Sequence, residues 1–309
     1  YTGEDVRFLN GGAGYETVYG DQIAQAMRTL VNEIESDLAL EANQNASRAV
    51  GTAGTTPFAS NFDLVAEARQ ILADNGMPTN DNRTSLVMNT AASTKLRNLA
   101  HLQRVDQSGG SELLRQGVLL DLQGVMMRES AQVVSHTKGA GTGYLINGAE
   151  AAGQTTLTLD TGTVNTTGIV AGDVVTFAAD TANKYVVNTG LAAVAGDIVI
   201  GDNGLQVAIA NNNAMTIGNS FTANIVMHQK AMELAMRAPA KPIGGDAAVD
   251  VLVVQDPNSG LVFEISVYKG FRHYFFYLFS CFFSKAMIQV GCVWGYKAWN
   301  SDAIAILMG

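Results

Sequence analysis

Charge is scarce in this chain. Only 15% of its 309 residues are Asp, Glu, Lys or Arg, against 47% hydrophobic, whereas solvated surfaces are normally richer in Lys and Glu. The shortage points to extensive burial, in a large core or between subunits, and favours an oligomer. Positive charge is scarcer still. The formal net charge is −9, and no arginine stands between Arg128 and Arg237. Gripping nucleic acid by its phosphates takes a basic face, so the balance argues against tight direct binding but leaves loose passage near DNA open. With two cysteines, Cys281 and Cys292, the chain has neither a disulfide framework nor a four-ligand zinc site; both read as buried free thiols in a reducing cytoplasm. Long apolar runs are missing as well. The most apolar stretch, His273 to Phe283, is closed by Lys285 and falls short of the roughly 20 residues that span a bilayer. A buried strand or interface segment is expected there, with no membrane partner. No signal peptide is visible, and the chain opens at Tyr1 rather than Met, which weakens any argument about targeting.

Catalytic grammar is also thin. There is no Gly-x-Ser-x-Gly elbow and no His-Glu-x-x-His. The four histidines, His101, His136, His228 and His273, are dispersed without ligand spacing and read as solvated or hydrogen-bonded structural groups. Gly139-Ala-Gly-Thr-Gly143 lacks the Lys-Ser/Thr of a phosphate loop and reads as a flexible junction. Glu33, Glu35 and Asp37 fall on one helix and suit a solvated or intersubunit face. Asp160, Asp173, Asp180, Asp197 and Asp202 stand at strand ends, where Asp bonds local backbone. No catalytic, cofactor-binding or metal-ligating residue is singled out, and no cofactor is implied.

What is present is a mixture of helical and strand patterning, an α+β chain. Tyr1 to Gly20 is Gly-rich and patternless, as in an extended arm or loop. Ile23, Met27, Leu30, Val31, Ile34 and Leu38 then form one apolar stripe, enough for a core helix of about 25 residues, roughly 35 Å long. Ala53 to Pro57 ends that element. Ser60 or Asn61 can cap a helix from Phe62 to about Asp74, stopped by Asn75-Gly76. Thr84 to Asn89 reads as a strand, and about Ala91 to Leu102 as a helix carrying Leu96, Leu99 and Leu102 inward. Beyond a helical turn from Ser111, Val118–Leu122 and Val125–Arg128 read as strands joined through Gln123-Gly124. Ile225 to Arg237 reads as a helix. Val249–Val254, Leu261–Tyr268, Ala286–Trp294 and Ala303–Leu307 read as closing strands, mostly antiparallel in type.

Between about Gly139 and Ala223 helical periodicity stops. Short Val/Ile/Thr segments bounded by turn formers follow one another: Gly143–Gly148, Thr155–Asp160, Gly172–Phe177, Lys184–Asn188, Asp197–Gly201 and Ala214–Gly218. This is a small β module spliced into a larger chain.

Several stretches carry a resemblance: Ser111 to Gly117, Leu122 to Ser130, Ala171 to Phe177, Gly218 to Asn224, and Ala238-Pro-Ala followed by Gly244-Gly-Asp246. Their order over most of the chain resembles the major capsid proteins of tailed bacteriophages with the Hong Kong 97 fold. More narrowly, it is similar to the branch of short-tailed Salmonella phages, whose coat carries a β-barrel insertion domain. The resemblance implies residues 1–60 as arm remnant and peripheral domain with a long spine helix, and 61–138 as the first part of the axial domain. Residues 139–223 would be an inserted antiparallel barrel that supports folding. Residues 224–309 would complete the axial domain and add peripheral strands. It also implies self-assembly of hexamers and pentamers into an icosahedral head in the virion, built in the host bacterial cytoplasm. Scaffolding and portal proteins would be the partners, and double-stranded DNA would be enclosed without tight binding.

Two stretches depart from that pattern. The connection from Ile146 to Thr155 is too short for a loop reaching across a two-fold axis, and the run His273 to Phe283 stands where the pattern passes almost directly from Phe271-Arg272 to Lys285. The alternatives are a β-rich tail or adhesion module, which has little use for a long amphipathic helix, and an enzyme with an accessory β domain.

Overall fold

The computed structural model describes every residue except 1, 10–14, 105–116, 118, 120, 165, 244, 257, 258, 277 and 278. In chain order the elements are α1 (Gly3–Leu9), α2 (Tyr15–Gln44), β1 (Arg48–Gly51), α3 (Asp63–Asp74), β2 (Thr84–Met88), α4 (Thr90–Arg97) and α5 (Ala100–Gln103). Next come β3 (Met126–Glu129), β4 (Ser135–His136), β5 (Leu145–Ile146), β6 (Thr156–Asp160), β7 (Val174–Phe177), β8 (Asp180–Thr189), β9 (Gly196–Ile200) and β10 (Met215–Ile217). The chain closes with β11 (Phe221–His228), β12 (Met232–Arg237), β13 (Asp250–Gln255), β14 (Val262–Phe276), β15 (Phe279–Gly291), β16 (Val293–Ala298) and β17 (Ile304–Met308). Two compact units result: Tyr1–Ile34 with Leu234–Tyr296, and Glu35–Glu233 with Lys297–Gly309.

The second unit is organised by β17, whose five residues Ile-Ala-Ile-Leu-Met are all buried. It pairs in parallel with β1 and antiparallel with β11, so both backbone edges are satisfied and both faces must be covered. Alternation sorts its side chains. Ala305 and Leu307 join the core formed with Val65, Ala68 and Leu72 of α3 and Leu96 of α4. Ile304, Ile306 and Met308 join the opposite core with Ala39, Ala42 and Ala46, small residues that let α2 lie close to the sheet. The mixed sheet runs β3-β2-β11-β17-β1-β8-β9-β6-β5. Its members β5–β10 keep a separate core of Tyr144, Ile146, Leu157, Leu159, Phe177, Tyr185 and neighbours. They are not detached from the rest, because β8 pairs with β1 at Tyr185 and Arg48.

The first unit contains the sheet β13-β14-β15. Phe263 and Ile265 of β14 pack with Met27, and Ile23, Leu30 and Val31 lie around them. The Ile23 to Val31 part of the stripe expected on the long helix is therefore the face that meets this sheet. At 30 residues, α2 is about 45 Å long.

Several expectations are corrected. Tyr1 to Gly20 is not an extended arm: α1 and the first turns of α2 occupy its described residues. Thr2 and Asp5 cap α1 reciprocally, the Thr2 N–H donating to Asp5 Oδ2 at 2.7 Å and the Asp5 N–H to Thr2 Oγ1 at 3.2 Å, a box that outweighs the nearby glycines. Neither Ser60 nor Asn61 caps α3; Phe62 is at that position without a side-chain bond, while Asn61 bonds Asp63. The helix does stop at Asn75 and Gly76, as expected. Residues 91–102 form two helices rather than one, with Leu96, Leu99 and Leu102 buried as expected.

The Gln123-Gly124 turn is present, both residues having positive φ. It joins Leu122 to Val125 by a single bridge, and the strand beyond pairs in parallel with β2. The helical turn from Ser111 lies outside the described residues. The largest correction concerns Ile225 to Arg237. Its Met, Glu, Leu and Ala content favours a helix, yet it forms β11 and β12, because β11 fills the slot between β2 and β17 and bonds both. The β module therefore ends inside a strand of the main sheet rather than before a helix.

Candidate functional site

The dispersed titratable residues meet at a few buried points. His136, on β4, lies against Phe221 of β11, their ring centroids 5.2 Å apart. Its Nε2 is 2.8 Å from Asp173 Oδ1, and its Nδ1 is 3.4 Å from the Asn43 amide nitrogen. That geometry suits an imidazole donating from Nε2 and accepting at Nδ1. Asp173 is fully buried. It also accepts from the Gly139 N–H at 3.0 Å and the Val170 N–H at 2.9 Å, so one carboxylate ties the entry of the β module to the turn before β7. The Gly139–Gly143 segment, expected to be a flexible junction, is instead tightly packed at Gly139 and Gly141. A Cβ on Gly139 would stand 2.2 Å from the Gly168 carbonyl oxygen.

A second node surrounds Asp180. Tyr185 donates its hydroxyl proton to Asp180 Oδ2 at 2.6 Å and accepts from the Gln206 N–H at 2.8 Å. Burial, reinforced by that carboxylate, pushes the phenol well above its ordinary pKa. Arg48, buried beside it, donates to Asn75 Oδ1 at 2.9 Å and Asn183 Oδ1 at 3.2 Å. His228 Nε2 bonds Asp81 Oδ2 at 2.9 Å, and its Nδ1 accepts from the Lys230 N–H at 3.2 Å. The hydrogen bond from His228 holds the Asp81 carboxyl below its ordinary pKa.

His136 and His228 are thus hydrogen-bonded, as the dispersed spacing implied, and Asp173 and Asp180 accept from the nearby Val170 and Asn183 N–H groups, the role expected of strand-end Asp. The side chains of His101, His273 and Cys281 lie outside the described residues. Cys292 is a free, half-buried thiol, raised in pKa by burial and then by Glu33. Among the described residues no group of His, Cys, Asp or Glu is gathered for a metal ion. These contacts fasten backbone to backbone; none places a base against a nucleophile.

Surface chemistry is more informative. Val249, Val251, Leu252 and Val253 are all exposed, Leu252 at 58%. They belong to or adjoin β13, which has β14 on one side and, among the described residues, no strand on the other. Sequence reading found the strand but missed its exposure; the signal was an apolar run with one internal charge, Asp250, flanked by Asp246 and Asp256. Behind it, Lys241 bonds Glu264 and lies 3.7 Å from Asp246, which accepts from the Tyr268 hydroxyl at 2.6 Å. The Lys241 hydrogen bond holds the Glu264 carboxyl low, and Glu264 in turn raises Lys241. Lys241 and Asp246 are thereby tied to Glu264 and Tyr268 of β14.

No helix among the described residues is long and apolar enough to cross a membrane. An extended apolar edge and structural polar nodes, with no assembled reactive cluster among those residues, are features of a protein that works through surfaces. A family model described as P22 coat protein, gene protein 5, matches residues 13–226. The chain belongs to the P22 coat protein family, whose members are structural rather than enzymatic. No curated protein matches it. Among solved structures, a chain from Mycobacterium phage Che8 is 15% identical, with 96% of this chain and 64% of that one covered at a TM-score of 0.42. The chain thus spans just under two thirds of the length of that neighbour.

Proposed function

We propose that this chain is a coat subunit of a tailed phage, many copies of which close into an icosahedral shell around double-stranded DNA. The observation that carries this reading is the family match over residues 13–226. Distributed interfaces rather than a reactive cleft are what such a subunit needs, and the scarcity of charge with an exposed apolar strand agrees with that. The net charge of −9 fits a container that encloses DNA without holding it tightly.

In this reading residues 1–60 supply the peripheral domain of a Hong Kong 97-type subunit, with α2 as its spine. Residues 61–138 and 224–309 supply the axial domain and the closing peripheral strands, and residues 139–223 are an inserted barrel. The length of α2 and the separate core of β5–β10 support it. Hexamers and pentamers would be the capsomers, with scaffolding and portal proteins as assembly partners in the host bacterial cytoplasm. Electron microscopy of the purified chain, alone and with its scaffolding protein, is the test. Closed shells are expected in at least one condition, and persistent monomers in both would contradict the reading.

A further inference from the structure

The open edge of β13 has a definite hydrogen-bonding parity. β13 and β14 pair in the register Asp250↔Val267 through Gln255↔Val262. At the closing turn the Asp256 N–H donates to the Leu261 carbonyl at 2.8 Å. Bonded pairs alternate along an antiparallel ladder, so the even-numbered residues 250, 252 and 254 spend their backbone groups on β14. Val251, Val253 and Gln255 point theirs outward. At the start of the strand the Val249 N–H also donates to Val267, the residue opposite Asp250, a bulge-like irregularity ahead of the regular ladder. An apolar edge with unpaired donors and acceptors is a template for a further strand. The opposite edge of the sheet is different, because Thr2 bridges to β15 at Lys285.

We propose that the occupant of this edge is β13 of a second copy, added antiparallel about a two-fold axis at Leu252; the proposal rests on the coat-subunit reading. Parity requires odd residues to bond odd residues, which leaves few registers. Centring on Leu252 sets Val251 against the partner's Val253 and Leu252 against the partner's Leu252. Asp250 then faces the partner's Val254, with no like charges opposed. Centring on Val253 would instead set Asp250 against the partner's Asp256, and opposed like charges destabilise a pair. Of the two registers that pair the strand along most of its length, the acidic residues therefore favour the one centred on Leu252. The product is a sheet continuous across two subunits, the self-complementary patch that an isologous contact requires.

Leu252 would be a non-hydrogen-bonded pair across the axis, with Cα atoms about 4.5 Å apart, inside the range that a disulfide spans. The test is oxidation of assembled full-length Leu252→Cys in a Cys281→Ser, Cys292→Ser background. Covalent dimers are expected from Leu252→Cys but not from Val251→Cys, whose symmetry mate would stand about 7–8 Å away. Val253→Pro removes one outward N–H and leaves the bonds to β14 in place, and Val253→Lys charges the same edge. Each should lower particle yield about tenfold or more while the circular dichroism of the free subunit stays unchanged; if the proline unfolds the chain, the lysine variant and the cross-link decide. Particles at wild-type yield from Val253→Lys, or assembled Leu252→Cys shells without cross-links, would overturn the two-fold contact and leave the coat reading intact. Failure of the wild-type chain to assemble at all would instead count against the coat reading.

Discussion

Two strands of nearly the same chemistry have opposite fates in this molecule. β17, Ile-Ala-Ile-Leu-Met, is buried along its whole length between β1 and β11. β13, Asp-Val-Leu-Val-Val-Gln, has a neighbour on one side and is exposed at every position except Val254. Propensity does not separate them, since both are β-branched and aliphatic. What separates them is where the second partner comes from. For β17 the chain supplies it, and for β13 another copy does under the proposal above. Under that proposal, the apolar surface left open on β13 is the part of the sheet completed by assembly.

The sharpest way to break this comparison is to shorten one side chain in each strand. Leu307→Ala, at a fully buried site, should cost the free subunit about 2–5 kcal/mol. Leu252→Ala should change it by no more than about 0.5 kcal/mol and show its effect in particle yield instead. Urea denaturation of both variants beside a yield assay measures this, and equal losses of subunit stability would erase the distinction.

Next in size is Asp173→Ala, which strands two backbone N–H groups and His136 at the base of the β module. A loss on the order of 3 kcal/mol is expected, with hydrogen exchange around Gly139 and Val170 rising first. Tyr185→Phe removes a donor to Asp180 and an acceptor from Gln206 and should cost about 1–2 kcal/mol, read from thermal unfolding.

The smallest effect belongs to the Lys241–Glu264 link behind β13. The folded pKa of Glu264 is depressed, so its contribution is present above the ordinary glutamate value and lost as pH falls through the folded one. The raised pKa of Lys241 makes its contribution complete below the ordinary lysine value and lost as pH rises through the folded one. Protection of β14 amides should therefore fall on acidification, and Lys241→Met should be low and flat across the same pH range. Parallel curves for the two proteins would show that the link does not stabilise β14.

The same contrast explains what the sequence could and could not disclose. The stripe Ile23 to Leu38, the stop at Asn75-Gly76 and the alternation of the β module were legible because local periodicity and turn chemistry determine them. β1 was missed. Its four residues, Arg-Ala-Val-Gly, carry no pattern and form a strand only because β17 and β8 lie on either side. The segment Ile225 to Arg237 misled for the same reason, since its helix formers yield to pairing with β2 and β17. The His136–Asp173 contact joins residues 37 positions apart, a distance at which no spacing rule operates. The edge of β13 was read as a strand, but exposure is a property of the neighbours, and those are not written in the strand itself.

Hydrogen exchange on free subunits and on assembled shells, followed in the peptides that carry β13 and β17, tests the central claim most directly. β17 should be protected in both states, whereas β13 should exchange rapidly in the free subunit and become protected on assembly. Rapid exchange of β13 in intact shells would contradict the claim that a second copy completes this sheet.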